Sequence, residues 1–541
     1  MLKHQIVVFL FFIIGKCLCQ DDILLQIPQG ILKGVQRTDR KNGIFYSFQK
    51  IPYAKPPIHE LRFKEPEAAE NWEGTLDATN DLPSCIQGGE AGVAGGQEDC
   101  LYLNVYTPQK PADSYDTYKS VMVFIHGGSF AANSASETLH SPVFLMPEDI
   151  VLVTINYRLG IFGSFSLNDT SLDYPGNLGL KDQALGLKWV KDNIKRFGGN
   201  ENDITIFGES AGGVSIHLQV LSPLSAGNFH KAIIQSGTAI SPWAQGVPNS
   251  GVLLATALGI STDNPQEMIN QLLALDVSAI QTVSLVLDDS LNYPIVEPEG
   301  PNSFLTKNPL AIIQEGTYNQ VPLMVGSTNA EERDTDEANE LLQKIFDFYF
   351  DGEEPTLQNH EMSLINLFTD IWFGYPAVRL ALEHVKTAKN PIYFYRFSAD
   401  TELNVYKRRD LTTANFPGAA HGDELGYLFR TFLHDTIISE ITPDSVEDKA
   451  IDRITALWTR FAKYGDPTSG DFNEFKWEPV TNDTFNYVDF GSTTTNPGVN
   501  PDEDRMNFWH DVYSSSNFLT YSKSLLIVVS IVSTLLFNSK E

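Results

Sequence analysis

The chain has 541 residues, of which 42% are hydrophobic and 11% aromatic, so it is long enough to bury a large core. Its 68 acidic and 38 basic residues give a formal net charge of −30. A body with this charge repels nucleic acid and anionic membrane surfaces, so neither is an expected partner. The charge is consistent with a highly soluble protein.

The N-terminus carries the pattern of a secretory signal over residues 1–19. A short basic start is followed by an unbroken apolar run at residues 6–14, and small residues stand at Cys17 and Cys19. A buried N-terminal strand or helix is the alternative. We find no linker, internal repeat or low-complexity tract beyond this segment, so we predict one large domain over residues 20–513.

Removal of the signal leaves two cysteines, Cys85 and Cys100. In a chain that enters an oxidising compartment, two cysteines at this spacing suggest a disulfide around a short glycine-rich loop. Two free buried thiols are the alternative. Asn168 and Asn482 each begin an N-glycosylation sequon, which supports secretion only weakly because such tripeptides are common.

Strands and helices alternate through the chain. Short β-branched and apolar runs are typical of strands buried on both faces. The predicted strands are residues 121–126, 151–157, 204–207, 321–325 and 391–397. Residues 180–197 repeat apolar side chains at helical spacing, and Gly198 is expected to end that helix. The alternation predicts an α/β fold with a large, mostly parallel sheet, helices on both faces and a ligand site at the carboxyl ends of the strands.

A candidate nucleophile lies between a predicted strand and the helix that begins at Ala211. The sequence there is Gly208-Glu209-Ser210-Ala211-Gly212. A serine hydroxyl needs a base to remove its proton, and it must project from a very tight turn. Glycines two positions to either side relieve the crowding of that turn. Ser210 is therefore the predicted nucleophile, and Glu209 either adjusts its electrostatics or is a satisfied buried polar group.

A predicted oxyanion hole follows the strand at residues 121–126. Ester hydrolysis forms a negatively charged oxygen that needs fixed hydrogen-bond donors. Gly127 and Gly128 have no side chains, so their backbone N–H groups can approach that oxygen, and the N–H of Ala211 is the third expected donor. An ordinary glycine turn after a strand is the alternative.

With these motifs, the sequence resembles the type-B carboxylesterase/cholinesterase family along most of its length. The matching stretches are IPYAKPP (51–57), EDCLYLNVYTP (98–108), HGGSF (126–130), NYRLG (156–160), NLGLKDQALGLKWV (177–190), FGESAGG (207–213) and HGDELGYLF (421–429). The resemblance implies an α/β-hydrolase fold and a Ser–Glu–His triad at the bottom of a gorge. Cys100 falls where the family places one end of a short disulfide loop.

The base is expected to be a histidine, because imidazole accepts and returns protons near neutral pH. The chain order of this fold is serine, acid, histidine, so candidates before Ser210 are excluded. His421 matches the catalytic histidine of the family residue for residue. We interpret His217 as a structural or surface residue. Ser236 resembles a hydrogen-bonding position behind the triad, or is a satisfied buried polar group.

The acid of the triad is expected between the serine and the histidine, where it orients the imidazole. The family has its catalytic glutamate five positions after a glycine that corresponds to Gly326, and this selects Glu331. Glu332 stands where many members carry glycine, so Asp334 and Asp336 are kept as alternatives.

Three functions are weighed on these residues. The first is a hydrolase that cleaves small-molecule carboxylic esters through an acyl-enzyme, without a metal ion or cofactor. The second is a catalytically inactive adhesion or ester-sequestering protein on the same fold, which is disfavoured because the whole triad is present. The third is a cholinesterase, which would need an aromatic face for a quaternary ammonium group. Residues 86–99 offer no aromatic side chain. Glu209 stands where juvenile-hormone esterases characteristically have glutamine, which favours a general carboxylesterase.

The C-terminal tail at residues 514–541 ends in an apolar run at 525–537, preceded by small residues and a polar spacer. This order is typical of a GPI-attachment signal. A short membrane helix and an uncleaved packing segment are the alternatives. We therefore expect a secreted protein that is either free or attached to the cell surface.

Overall fold

A computed structural model describes residues 23–88, 94–167, 172–330, 339–353, 357–409, 416–438 and 440–514. Its strands are β1 (Ile23–Ile27), β2 (Gly30–Thr38), β3 (Ile44–Pro52), β4 (Thr75–Asp77), β5 (Gln87–Gly88), β6 (Ala94–Gly95), β7 (Tyr102–Thr107), β8 (Lys119–Ile125), β9 (Val151–Ile155), β10 (Gly199–Glu209), β11 (Lys231–Gln235), β12 (Leu323–Thr328), β13 (Ile392–Phe397), β14 (Asn486–Phe490) and β15 (Thr495–Val499).

Its helices are α1 (Gly160–Ser164), α2 (Leu178–Asn193), α3 (Ala211–Leu221), α4 (Ser250–Ala257), α5 (Pro265–Ala274), α6 (Val277–Ser284), α7 (Pro309–Glu315), α8 (Asn339–Tyr349), α9 (Leu357–Thr369), α10 (Tyr375–Val385), α11 (Val405–Arg408), α12 (Leu425–Leu428), α13 (Phe432–Ile437), α14 (Val446–Tyr464) and α15 (Glu503–Ser514). A π-helix at Asp370–Gly374 separates α9 from α10. Among the described residues, no helix combines the length and apolarity needed to cross a bilayer.

One mixed sheet organises the described residues, with thirteen strands and the order β1-β2-β3-β7-β9-β8-β10-β11-β12-β13-β14-β15, and with β4 beside β2. The seven strands from β9 through β14 in that order run parallel to one another. Antiparallel strands flank them on both sides. The predicted α/β architecture, with a mostly parallel central sheet, is confirmed.

Side chains alternate between the two faces of the sheet, as the pleat requires. Along β8, Val121, Val123 and Ile125 join one buried cluster, together with residues of α2, α3 and α10. Met122 and Phe124 join another cluster on the opposite face, together with residues of α14. Helices therefore cover both faces, which explains why the central strands read as continuous apolar runs.

The helix predicted over residues 180–197 is correct in position but not in its last turn. The α-helix α2 ends at Asn193, and Ile194–Phe197 forms a 3-10 turn. The N–H of Gly198, at φ +80°, bonds to the carbonyls of Ile194 and Lys195 and so satisfies the end of the helix. The apolar spacing continues through both kinds of helix, and spacing alone does not separate them.

The predicted disulfide between Cys85 and Cys100 is present. It closes the loop that carries the short strands β5 and β6. Asn482 is exposed, whereas Asn168 lies outside the described residues. The predicted signal at residues 1–19 and the tail beyond Ser514 also lie outside them.

Candidate active site

Ser210 lies at the junction of β10 and α3 with φ +59° and ψ −123°, a strained conformation for a residue with a side chain. Gly208 and Gly212 make this turn possible. An added Cβ would lie 2.5 Å from the carbonyl oxygen of Ile125 at Gly208, and 2.2 Å from the same oxygen at Gly212. The N–H of Ser210 donates to the carbonyl of Gln235 at 2.9 Å. The predicted tight turn between β10 and α3, the nucleophile elbow, is therefore present, with Ser210 at its tip.

The loop after β8 passes directly against this elbow. A Cβ added at Gly127 would lie 3.0 Å from the Cβ of Ser210 and 2.5 Å from the carbonyl oxygen of Glu209. Gly128 has φ +107°, which a residue with a side chain rarely adopts. Ala211 follows the serine as the first residue of α3. The structure thus brings together the three residues that were predicted to donate to an oxyanion.

His126 fixes the orientation of the glycine loop after β8, where the oxyanion donors were predicted, and the sequence analysis missed these contacts. Its Nδ1 lies 2.8 Å from the carbonyl oxygen of Gly127 and therefore carries the proton, since a carbonyl only accepts. The Tyr157 hydroxyl donates to the His126 carbonyl at 2.8 Å, and the two rings stack at 4.5 Å. Burial lowers the pKa of His126 to about 4, so the ring is neutral. Because a peptide is planar, a pinned Gly127 carbonyl directs the N–H of Gly128 the opposite way.

His421 is brought to the elbow from a turn that lies far along the chain. Its Nε2 lies 3.1 Å from Oε1 of Glu209, the residue that precedes Ser210. Gly422, at φ +78°, allows the left-handed backbone of this turn, which a residue with a side chain rarely adopts. Glu209, left between two interpretations by the sequence, is thus in direct contact with the predicted base.

A buried carboxylate holds the turn that carries His421. Asp423 accepts hydrogen bonds from the backbone N–H groups of Ala420 at 2.8 Å and Lys407 at 3.0 Å, and from the side-chain amide of Asn404 at 3.0 Å. Burial raises the pKa of Asp423 to about 6, against the opposing effect of these hydrogen bonds. The turn around the histidine is therefore fixed by several donors that converge on one side chain.

Glu331, the predicted acid, lies outside the described residues, as do Asp334 and Asp336. The chain just before Glu331 is described, and it lies against the turn of the histidine. Oδ1 of Asn329 accepts from the N–H of Ala419 at 2.8 Å, and the N–H of Ala330 donates to the Ala419 carbonyl at 3.0 Å.

Ser236 and Glu424 lie behind the elbow. Ser236 is fully buried, and its hydroxyl makes a long 3.5 Å hydrogen bond to Oε1 of Glu424, which is also buried. The backbone N–H of Ser236 donates to the carbonyl of Gly326 at 2.9 Å, so this position links β11 to β12. These contacts fit either of the two interpretations of Ser236, and its partner Glu424 was not identified from the sequence.

His217 is structural and not on the surface. It is fully buried, its Nδ1 accepts from the N–H of Ala239 at 3.0 Å, and its Nε2 lies 3.0 Å from Nε2 of His384. Burial lowers the pKa of both imidazoles. The pair joins α3 to α10 away from the nucleophile.

A row of aromatic side chains connects the oxyanion loop to the base. Phe130, Tyr293, Trp243, Phe373 and the imidazole of His421 follow one another with centroid separations of 6.2, 6.2, 5.9 and 4.5 Å. These five residues come from five separate parts of the chain, which is why the sequence did not reveal the row. Aromatic faces of this kind supply a large apolar contact area beside the predicted base.

Comparison with known proteins agrees with this geometry. The model of the carboxylesterase family matches residues 21–337 and 331–509. A juvenile hormone esterase of Heliothis virescens is 32% identical and covers 87% of this chain and 90% of its own length. Venom carboxylesterase-6 of Apis mellifera is 31% identical, with 91% and 96% covered. The crystal structure of juvenile hormone esterase from Manduca sexta, with OTFP covalently attached, superimposes with a TM-score of 0.76 at 29% identity and covers 91% and 100% of the two chains.

Proposed function

We propose, since the chain belongs to the carboxylesterase family and is a carboxylic ester hydrolase, that Ser210, His421 and Glu331 form its catalytic triad. The observation that carries this proposal is the strained elbow. Ser210 projects there between the glycine loop after β8 and the contact of Glu209 with His421. Neither a binding protein nor a structural protein needs a serine in this conformation.

The reaction has two steps. The Ser210 hydroxyl attacks the ester carbonyl while His421 takes its proton, and the oxygen that becomes negative receives hydrogen bonds from Gly127, Gly128 and Ala211. His421 then returns the proton to the leaving alcohol, and an acyl-enzyme remains on the serine. Water, activated by the same imidazole, releases the carboxylic acid.

Glu331 is proposed as the residue that orients the imidazole. In support, Asn329 and Ala330 both bond to Ala419, so the chain on the way to residue 331 and the chain on the way to His421 run side by side. Asp334 and Asp336 are further from this crossing along the chain, which favours Glu331.

Glu209 is proposed to stabilise the imidazolium that forms in both steps. Its carboxylate is almost fully buried and lies 3.1 Å from Nε2 of His421. An opposite charge at this distance favours the protonated imidazole, and poor solvation strengthens the effect. This side chain also supports a general carboxylesterase as the function, because the resemblance associates juvenile-hormone esterases with glutamine at its position.

The chain is further proposed to be secreted. The disulfide between Cys85 and Cys100 and the exposed sequon at Asn482 suit an extracellular protein. Cleavage of residues 1–19 and anchoring through the tail stay predictions from the sequence alone. Mass spectrometry of the secreted protein would read its first residue, its C-terminus and its glycans directly.

The decisive experiment compares Ser210→Ala with the wild type on p-nitrophenyl acetate. We expect turnover to fall at least about a thousandfold, with folding and secretion unchanged. Ser469→Ala, in the turn after α14, is the matched control and should keep full activity. Wild-type protein that neither turns over the ester nor takes up a covalent organophosphate would instead support the inactive binding protein.

The same enzyme should be assayed with p-nitrophenyl butyrate, acetylthiocholine and juvenile hormone III. A general carboxylesterase is expected to prefer the uncharged nitrophenyl esters. A preference for juvenile hormone by a factor of ten or so in kcat/KM would refute the assignment drawn from Glu209.

A further inference from the structure

The π-helix at Asp370–Gly374 has no role in the mechanism above. It is closed by the N–H of Tyr375, which bonds to the carbonyl of Asp370 five residues earlier. Such a turn widens the helix by one residue, packs less well than an α-turn and occurs frequently at functional sites. The contacts on the two sides of the π-helix therefore bear on why this less favourable turn is present.

The inner side of the π-helix contacts the predicted base. The ring of Phe373 lies 4.5 Å from the imidazole of His421, with 33° between the ring planes. The neighbouring carbonyl of Trp372 accepts a hydrogen bond from Nε1 of Trp243 at 3.2 Å, and the Trp243 ring lies 5.9 Å from that of Phe373. A displacement of this turn would therefore move the Phe373 ring relative to the imidazole of His421.

The outer side of the π-helix is tied to α8 and α15 through Asp370. This carboxyl is buried, with 1% of the residue exposed. It accepts from the Tyr349 hydroxyl at 2.6 Å, and Tyr349 in turn accepts from Nε1 of Trp509 at 2.8 Å. The guanidinium of Arg505 lies 3.3 Å from the same carboxyl. A carboxyl is costly to bury, and here two partners, one of them held in turn by Trp509, compensate for its burial.

A small crevice that is partly open to solvent lies beside these contacts, with about 20 Å³ of internal space, enough for about one water molecule. Its walls include Asp370, Arg505, Asp502 and Arg396, and the end of β12 that leads towards residue 331. The hydrogen bond and the ion pair of Asp370 tie the π-helix to α8 and α15 at this place.

We propose that Asp370 is a positioning residue for ester hydrolysis. Through Tyr349 and Arg505 it holds the π-helix, and the π-helix holds the Phe373 ring against the imidazole of His421, which fixes the position of that imidazole. The inference rests on the proposed role of His421. It predicts an effect on turnover that passes through Phe373, whereas a merely structural carboxyl would affect stability alone.

A double-mutant cycle tests this coupling. Asp370→Ala, Phe373→Leu and the double variant are compared on p-nitrophenyl acetate, with kcat expressed per site titrated by diethyl p-nitrophenyl phosphate. Each single variant is expected to lose about tenfold in kcat with KM within about twofold, because a small misplacement of the base slows chemistry more than binding. The double variant should lose no more than the worse single variant.

Asp489→Ala is the matched control. Asp489 pairs with Arg396 at 2.7 Å in the same region but does not contact the π-helix. This variant should lose thermal stability while its kcat stays within about twofold of the wild type. If Asp370→Ala does not fold, Tyr349→Phe removes only the hydroxyl, with its hydrogen bonds to Asp370 and from Trp509, and leaves the carboxyl and Arg505 in place. Its smaller loss in kcat should also disappear in the Phe373→Leu background.

Three results would overturn the proposal: losses that multiply to about a hundredfold in the double variant, an equal loss in Asp489→Ala, or an unchanged kcat in Asp370→Ala. Failure of the underlying triad is recognised separately. In that case Ser210→Ala would keep its activity and its titration by the organophosphate, whatever the cycle shows.

Discussion

The closeness of the oxyanion loop to the nucleophile gives a quantitative prediction for Gly127→Ala. The added methyl carbon would lie 2.5 Å from the carbonyl oxygen of Glu209, whereas ordinary contacts begin at 3.4 Å, so the loop must retreat by about 0.9 Å. The obstacle is backbone of the strained elbow and cannot rotate away. The retreat carries the donors of Gly127 and Gly128 out of reach of the oxyanion.

A displacement of about 1 Å or the loss of one oxyanion donor costs on the order of a hundredfold in rate. We therefore expect kcat of Gly127→Ala on p-nitrophenyl acetate to fall about a hundredfold, which corresponds to about 2.7 kcal/mol of transition-state stabilisation. KM should change much less, because the donors act mainly on the transition state.

Gly95→Ala is the control, since no atom of the described residues lies within 4 Å of an added Cβ there and the residue has no positive φ. It should match the wild type in kcat, and both variants should be checked by circular dichroism and thermal melting. A folded Gly127→Ala enzyme within about threefold of wild-type kcat would refute the placement of the oxyanion hole in this loop.

Three further predictions concern the parts around the site. Replacement of Cys85 and Cys100 by alanine should lower the free energy of unfolding by about 3 kcal/mol in urea titrations, because the unfolded chain regains loop entropy; an unchanged midpoint would contradict this. His126→Phe keeps the stack on Tyr157 but loses the bond that pins the oxyanion loop, so kcat should fall about tenfold at constant fold, and full activity would exclude the role. Burial raises the pKa of Asp370 to about 7. The folded carboxyl thus retains a proton that the unfolded one releases near pH 4. Wild-type stability should therefore fall as pH rises from 4 to 7, by up to about 4 kcal/mol from this group, and Asp370→Asn should lose that dependence. If the stabilities of the wild type and of Asp370→Asn changed with pH in the same way, the assignment of this pH dependence to Asp370 would be wrong.

Local patterns were sufficient to predict the elements that carry the nucleophile. The strand β10, the glycines around Ser210 and the glycine loop after β8 each follow from what a short segment needs sterically or by period. The position of His421 followed from chain order together with the resemblance. These features are encoded within a few residues, so they can be recognised without knowledge of the tertiary structure.

The surroundings of the base could not be predicted in this way. The contact between Phe373 and His421 depends on a π-helix, and a single inserted residue within an apolar helical pattern leaves almost no trace in the spacing. Asp370 and Arg505 are far apart in the chain, and an aspartate in a helix gives no sign that it is buried. Contacts of this type are set by how distant elements pack and not by local propensity.

The neighbourhood of β8 and β10 in the sheet has a consequence for how such an enzyme can be altered. Gly208 pairs in register with Ile125, so the two strand ends that carry the proposed nucleophile and oxyanion donors are neighbours in the sheet. The long segment between them includes β9, which is hydrogen-bonded to β8 in the same sheet, and the helices α1 and α2. Parts of it that lie at the surface can therefore be lengthened, shortened or exchanged between relatives to change which esters fit, while the reacting groups keep their separation.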